Sequence, residues 1–328
     1  MENLTASQIR HITHLNMNSP EGFGAKIQEM ITAINSGYTT SGTPVNAANA
    51  AKTLAVTGVV IDGETVTINN PAIAGVDVYE FLADTAQTKT TPTNIPVNIT
   101  ASTTKSSIVL TVDTQPTVTD TMTIGTKVYT FVADGTAAVD GEINIGTDLP
   151  SAKIAIVAAI NGTDAFNPPH PLVTAGVFVV NDCAITALVG GVAGDTIATT
   201  ETFNAVTNVF GAVTLGSGAD CIAANAITAL VAAITASDTQ GVGAVDGAGD
   251  TVDLTADVAG VIGNAIIIGE TMTNGAFTAG ALLLTGGIDG TVGVAGQGMA
   301  DATYLYKLVA DNTTSGKNWR RISLGTAY

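Results

Sequence analysis

Charge is scarce in this 328-residue sequence: Asp, Glu, Lys and Arg together make up 12%, about half the usual share. What charge there is has one sign. Twenty-eight acids face eleven bases, for a net charge of −17, and no Lys or Arg occurs between Lys153 and Lys307. Salt bridges within that stretch are therefore impossible, and apolar burial and strand pairing must hold it. A nucleic-acid partner is excluded, because phosphate binding needs clustered bases. Aromatic residues amount to 5%, too few for an aromatic-rich core. The two cysteines, Cys183 and Cys221, make neither a disulfide framework nor a metal site. They read as small core residues, with a bond between them as the alternative. No apolar run approaches the roughly 20 residues of a spanning helix. The longest, around Ala265–Ile268 and Ala281–Leu284, are strand-sized, so the chain reads as soluble, with no membrane partner. Met1-Glu2-Asn3-Leu4 opens no basic-then-apolar secretory leader, and synthesis in a cytoplasm is expected.

Catalytic motifs are also missing. There is no Gly-x-x-x-x-Gly-Lys-Ser/Thr, no His-Glu-x-x-His and no Gly-x-Ser-x-Gly. Glycine groups such as Gly190-Gly191-Val192-Ala193-Gly194 lie inside strand-and-turn repeats, not between a strand and a helix. His170 stands among Pro168, Pro169 and Pro171 without a nucleophile in view. His11 and His14 lack further ligands nearby and read as surface residues. Asp246-Gly247-Ala248-Gly249-Asp250 departs from the EF-hand spacing and reads as a turn, with Ca²⁺ binding as the sharper alternative. No catalytic residue, no cofactor and no metal site is expected; the chain reads as a non-enzyme.

What the sequence does have is repetition. Val78-Tyr79-Glu80-Phe81-Leu82-Ala83-Asp84 returns as Val128-Tyr129-Thr130-Phe131-Val132-Ala133-Asp134. Each copy follows a Thr-rich run, Glu64–Ile68 or Asp120–Ile124. The alternation of β-branched or aromatic residues with polar ones has the period of a half-buried strand. Further strands are expected at Leu54–Thr57, Ile95–Ile99, Ile108–Val112 and Glu142–Ile145. Two helices share Val-Ala-Ala-Ile, at Ser151–Gly162 and Ala224–Ala236. In the second, Ile227, Leu230, Val231 and Ile234 form one apolar stripe. The tails behind the helices, from Ile185 to Thr202 and from Leu254 to Thr271, stay in register without a gap.

The order is first half, first half, second half, second half. Tandem modules would alternate, so the economical reading is a module carried in a loop of its twin. An exchange of halves between the two is the alternative. The expected fold is mainly β with a few helices, in α+β modules: two homologous β-rich modules, one inserted in the other, plus an N-terminal helix and a C-terminal β-hairpin. The outer module spans 52–102 plus 219–290, and the inner one spans 105–217. Residues 1–50 form an N-terminal helix and linker. Ser19, Pro20 and Glu21 start that helix, Ile27, Met30, Ile31 and Ile34 are its apolar stripe, and 39–50 read as linker. Residues 291–328 form the hairpin, whose Tyr304, Tyr306, Trp319, Arg320 and Arg321 have the composition of a binding surface. A hairpin folded back with Trp319 in its core is the competing reading.

The modules, with their Asp-Thr-x-Thr-Ile, Val-Tyr-x-Phe and Ala-Ala-Ile-Asn phrases, resemble those of tailed-bacteriophage virion proteins. They also resemble the β-rich insertion modules of flagellins and hook-associated proteins. The closing segment is similar to a hairpin of phage head-decoration and head-fibre proteins, on Gly290-Thr291-Val292-Gly293, Asp301–Tyr306, Val309–Asn312 and Asn318–Leu324. The resemblance covers most of 52–328. It implies a capsid decoration (cement) or head-fibre protein on the outer capsid surface, assembled in the host cytoplasm. The implied partners are the major capsid protein or other virion proteins, and sister copies in a homo-oligomer. Residues 1–50 would do the anchoring. The alternative implied is a tail-fibre or receptor-binding protein that meets a host surface receptor. A bacterial surface adhesin is disfavoured by the lack of a secretory leader.

Overall fold

The Thr-rich runs and the Val-Tyr-x-Phe phrases do form strands, because alternate side chains can leave water while the backbone pairs. The computed structural model describes residues 38–41, 45–84, 89–291, 298–300, 304–308, 315–316 and 319–323. The expected helix at Ser19–Gly37 lies outside them. In chain order the strands begin with β1 (Tyr38–Ser41), β2 (Asn49–Val56), β3 (Thr65–Asn69), β4 (Asp77–Leu82) and β5 (Ile95–Asn98). Next come β6 (Lys105–Thr111), β7 (Thr121–Ile124), β8 (Lys127–Val132), β9 (Glu142–Asn144) and helix α1 (Leu149–Asn161). Then follow β10 (Val173–Ala175), β11 (Asp182–Gly190), β12 (Thr199–Glu201), β13 (Val209–Phe210) and helix α2 (Ala223–Ser237). The last are β14 (Val242–Asp246), β15 (Thr251–Ala259), β16 (Ile267–Glu270), β17 (Gly275–Phe277), β18 (Gly298–Ala300), β19 (Tyr304–Leu308) and β20 (Trp319–Ser323). The fold is mainly β, with two helices among the described residues. Strands at Tyr38 and Asn49 occupy ground that composition alone reads as linker.

The sheets come in matched pairs. Sheet β14-β15-β2-β17 has its counterpart in β10-β11-β6-β13, and β16-β3-β4-β5 in β12-β7-β8-β9. In both members of the second pair an antiparallel couple is followed by a parallel one, β3-β4 then β4-β5, and β7-β8 then β8-β9. Phe81 stands opposite Val97 where Phe131 stands opposite Ile143. Two of these sheets use only strands within 105–210. The other two join strands before Asn98 to strands after Val242.

Burial repeats as well. Tyr79, Phe81, Tyr129 and Phe131 are all fully buried, each phenylalanine contributing about 1.5–3 kcal/mol by leaving water. The core within 105–217 gathers Leu110, Ile124, Phe131, Ile156, Ile160 and Ile185. α1 starts where Asp148 caps the Ser151 N–H at 2.9 Å and Ser151 returns the bond, a reciprocal pairing that satisfies two orphan donors. It buries Ala152, Ile156, Ala159 and Ile160. α2 buries Ile227, Leu230 and Ile234 of its apolar stripe.

Each of the two strand sets is bounded in sequence by the same kind of backbone clasp. Thr104 and Ala219 exchange N–H···O bonds of 2.8 and 3.1 Å, and Ala48 and Ile288 exchange bonds of 2.9 and 3.2 Å. The Gly191 N–H donates to Thr104 O and the Gly260 N–H to Ala48 O, both at 2.9 Å. Asp220 accepts from the Val192 N–H at 3.0 Å, as Asp289 accepts from Val261 at 2.9 Å. Asp195 accepts from the Gly218 N–H at 2.9 Å, as Asn264 accepts from Gly287 at 2.8 Å.

By compactness the chain divides into two units. One comprises 51–257 with 265–285, and so holds both pairs of matched sheets apart from the first residues of β2 and the last of β15. The other comprises 1–50, 258–264 and 286–328. In the latter, β1 lies parallel to β18, and β18, β19 and β20 continue antiparallel. Residues from the first and last fifty positions therefore share one sheet.

Backbone conformation follows the same pairing. Among the described residues, three non-glycines have positive φ: Thr119 at 78°, Val180 at 58° and Ser217 at 66°. Their counterparts in the other strand set are glycines with the same twist, Gly63 at 82°, Gly249 at 64° and Gly286 at 83°. The turn at Thr119 is held as at Gly63, its N–H donating to Phe131 O as Gly63 donates to Phe81 O. A side chain there costs roughly 1–2 kcal/mol, partly offset by the unfolded-state entropy that glycine adds. Thr119→Gly is expected to raise unfolding free energy by roughly 0.5–1 kcal/mol, and Gly63→Thr to lower it, both read from urea denaturation midpoints. Unchanged midpoints would deny the equivalence of the two turns.

Candidate functional site

The sequence singled out two regions. Ile27, Met30, Ile31 and Ile34 lie outside the described residues. In the hairpin, register pairs Tyr304 with Ser323, Tyr306 with Arg321, Lys307 with Arg320 and Leu308 with Trp319. Trp319 is buried, its Nε1–H donating to Thr291 O at 2.8 Å and its backbone N–H to the Asn46 Oδ1 at 3.1 Å. The indole is thus part of that unit's interior, while Tyr306 and Arg321 share one register position.

Most buried polar groups elsewhere are satisfied structurally, the Tyr129 hydroxyl and the Thr100 hydroxyl being the exceptions among the described residues. Glu64 accepts from the Ile61 N–H at 3.1 Å and the Thr273 N–H at 2.6 Å. Its counterpart Asp120 accepts from Thr117 N–H at 2.8 Å and Asn204 N–H at 3.1 Å. The Asp77 carboxylate takes both the N–H and the hydroxyl of Thr239 at 2.7 Å. Burial alone would raise the Glu80 carboxyl, but bonds from the Thr90 N–H and the Asn94 amide outweigh it and hold it below its usual value. Burial pushes the Cys183 thiol up to about 11 and raises Cys221 too, which makes both poor nucleophiles. Among the described residues no three His, Cys, Asp or Glu side chains group to hold a metal ion. No helix there is long and apolar enough to cross a membrane.

His170 is buried at the end of its proline loop. Its Nδ1 accepts from the Leu172 and Val173 N–H groups at 3.1 and 3.2 Å, and its Nε2 lies 3.2 Å from Ile124 O. This neutral tautomer pins the loop to β7. Burial lowers its pKa, and the nearby Lys127 charge adds to the effect.

The feature that burial does not explain is a groove of about 520 Å³ on the inner strand set. Lys153, Ile154 and Val157 of α1 form one wall, and Val177, Phe178 and Val180 of the β10–β11 turn form the other. Ile154 is 71% exposed, Val177 78% and Val180 84%. The Lys153 ammonium donates to Val180 O at 2.7 Å and to Asn181 Oδ1 at 2.8 Å, and lies 5.5 Å from the Phe178 ring centre. It braces the turn in which Val180 holds its left-handed conformation, at a cost of roughly 1–2 kcal/mol.

The matched strand set supplies an internal control. Val177, Phe178, Val179 and Val180 correspond to Asp246, Gly247, Ala248 and Gly249, and Ile154 corresponds to Thr228. The same backbone thus carries a polar, glycine-rich tip in one copy and an apolar tip in the other. Sequence reading missed this surface because Val177–Val180 looks like buried strand; only the positive φ and the exposure reveal a tip. A second cavity of about 510 Å³ sits at the seam of the two strand sets, between Ile61, Leu172, Leu188 and Val192.

Comparison with family models, with curated proteins and with solved structures found no match.

The His170 geometry fixes a pH response. Because the folded-state pKa is lowered from 6.5, the unfolded chain takes up the proton first, so stability is complete above pH 6.5 and erodes as pH falls below it. Urea denaturation at pH 7.5 and 5.5 is expected to show this loss in the wild type and a smaller one in His170→Asn. Equal slopes for both would remove His170 as the source.

Proposed function

We propose that this chain is a non-enzymatic structural protein of a tailed-phage virion, a capsid decoration (cement) or head-fibre protein. The observation that carries the reading is the similarity of the closing segment, Asp301–Tyr306 and Asn318–Leu324 above all, to the hairpins of such proteins. The architecture supports it. We read the matched sheets as two homologous modules, the inner one inserted between β5 and α2 of the outer one. In the inner set the same connection, from β9 to α1, is only residues 145–148, and an insertion at such a loop leaves the host sheets intact. A unit built from both the first and the last segments, carrying β-modules in the middle of the chain, suits a protein that attaches through one part and displays another. Residues 1–50 with Ile27, Met30, Ile31 and Ile34 would make the attachment to the major capsid protein or to sister copies.

A second reading, a tail-fibre protein binding a host receptor, is favoured by one observation. Tyr306 with Arg321 and Lys307 with Arg320 are neighbours across the β19–β20 pair, a basic and aromatic combination in a chain that is otherwise acidic. Copy number per virion separates the two: hundreds for decoration, a few dozen or fewer for a fibre.

Added to purified capsids, the full chain is expected to co-sediment. A chain lacking residues 1–37, which retains β1, is expected to stay in the supernatant. Retained sedimentation of the truncated chain would rule out the N-terminal segment as the anchor, and failure of both chains would refute the decoration reading.

A further inference from the structure

In the first pair of matched sheets β10 and β14 are edge strands, and the two modules treat that edge differently. In the inner module the Gly176 N–H donates to Ala184 O and the Leu188 N–H to Leu172 O. Alternation therefore turns the backbone groups of Val173 and Ala175 away from β11. Side chains take them up. The Val173 N–H donates to His170 Nδ1 at 3.2 Å, and Asn161, at the end of α1, holds Ala175 twice. Its Oδ1 accepts the Ala175 N–H and its Nδ2–H donates to Ala175 O, each at 2.8 Å. One side-chain amide thus stands where a neighbouring strand would pair.

The outer module leaves the same edge open. Ala244 of β14 faces Leu254 of β15 as Ala175 faces Ile185 of β11. Bonds from the Asp257 N–H to Gly241 O and from the Gly247 N–H to Thr251 O set the alternation, so Val242, Ala244 and Asp246 turn outward. Asp238 accepts the Val242 N–H at 3.1 Å. In the place of Asn161, α2 carries Thr235, which is exposed and donates its hydroxyl back to Val231 O at 2.7 Å. Ala244 and Asp246 therefore keep outward N–H and C=O groups with no protein partner among the described residues. β14 also runs for five residues against three in β10. Such an edge is a template for one more strand.

Charge decides whose strand it fits. In the two-fold antiparallel register centred on Ala244, Asp246 of one copy would lie opposite Val242 of the other. It would then stand beside the Asp238 carboxylate that holds the Val242 N–H. Like charges would meet at both ends of the pairing, and neither acid is ion-paired among the described residues. The same two carboxylates suit an extended segment that carries a Lys or Arg toward each end.

We propose that β14 is a docking edge for an extended, base-bearing segment of a partner protein, which adds a strand to β14-β15-β2-β17 and sets its basic side chains against Asp238 and Asp246. The proposal does not rest on the virion reading. The probe is a fluorescently labelled peptide, Lys-Val-Thr-Val-Lys with blocked ends, titrated with the full chain and read by anisotropy. Saturable binding is expected. Thr235→Asn, which places the inner module's plug at an exposed position, is expected to weaken it at least ten-fold. The peptide with Glu in place of both Lys residues is expected to bind at least ten-fold more weakly as well. Amide hydrogen exchange gives a second route that needs no variant. The Ala244 amide is expected to exchange at least ten-fold faster than that of Ala175 in the free chain, and to slow at least ten-fold under saturating peptide. No saturable binding up to millimolar peptide, equal binding by the Thr235→Asn chain, equal binding of the Glu peptide, or an Ala244 amide that the peptide leaves unchanged would each overturn the proposal. Self-association of the wild-type chain that Thr235→Asn abolishes would also overturn it, by giving the edge to a second copy.

Discussion

Two small backbone clasps organise this molecule. Thr104 with Ala219, and Ala48 with Ile288, bring the beginning and end of a long segment within one pair of hydrogen bonds. A segment whose ends meet in this way can occupy a loop without pulling its host apart. Around each clasp the same polar latch recurs: an Asp that accepts the N–H opening a 3₁₀ turn, and an Asp or Asn that accepts a glycine N–H. The four matched sheets, the two helices and their cores all lie between such paired ends. The Thr104–Ala219 clasp closes the long segment that separates the strands before Asn98 from those after Val242, which shortens the gap those strands must bridge.

A second constraint follows from the missing cations. Among the described residues the only ion pairs are Lys105 with Asp84, at 3.4 Å, and Lys127 with Asp140, both before the base-free stretch. Carboxylates are instead neutralised by backbone. Glu64, Asp120 and Asp238 each hold two or more N–H groups, charge-assisted bonds that are stronger than neutral ones. An acid-rich chain thereby uses its acids as turn and strand connectors. The two that are buried as counterparts, Glu64 and Asp120, occupy equivalent places although one side chain is a methylene longer.

Much of the fold was legible because strand phrases carry their own period. Tyr79, Phe81, Tyr129 and Phe131 could be placed inside from alternation alone, and the Ile227, Leu230 and Ile234 stripe from helical spacing. Other elements depend on distant partners. Tyr38–Ser41, rich in Thr, has no apolar period and becomes a strand only by pairing with Gly298–Ala300. α1 begins earlier than its apolar residues suggest because Asp148 caps it. The apolar tip at Val177–Val180 was hidden for the opposite reason, since its composition is that of a core strand. Its exposure is a fact of topology, visible only once β10 and β11 are seen to turn there. The matched turn at Asp246–Gly249, polar and glycine-rich, marks the difference within the same chain.

The central claim is that one module lies inside the other as a separable insertion. The direct measurement is to excise it. A chain in which β5 is joined to α2 by a connection as short as that between β9 and α1, with the residues between removed, is predicted to unfold in a single cooperative transition. It should keep slow hydrogen exchange at Val66, Phe81 and Leu254. A chain that loses cooperativity, or in which those three amides exchange at the rate of an unfolded peptide, would contradict the account.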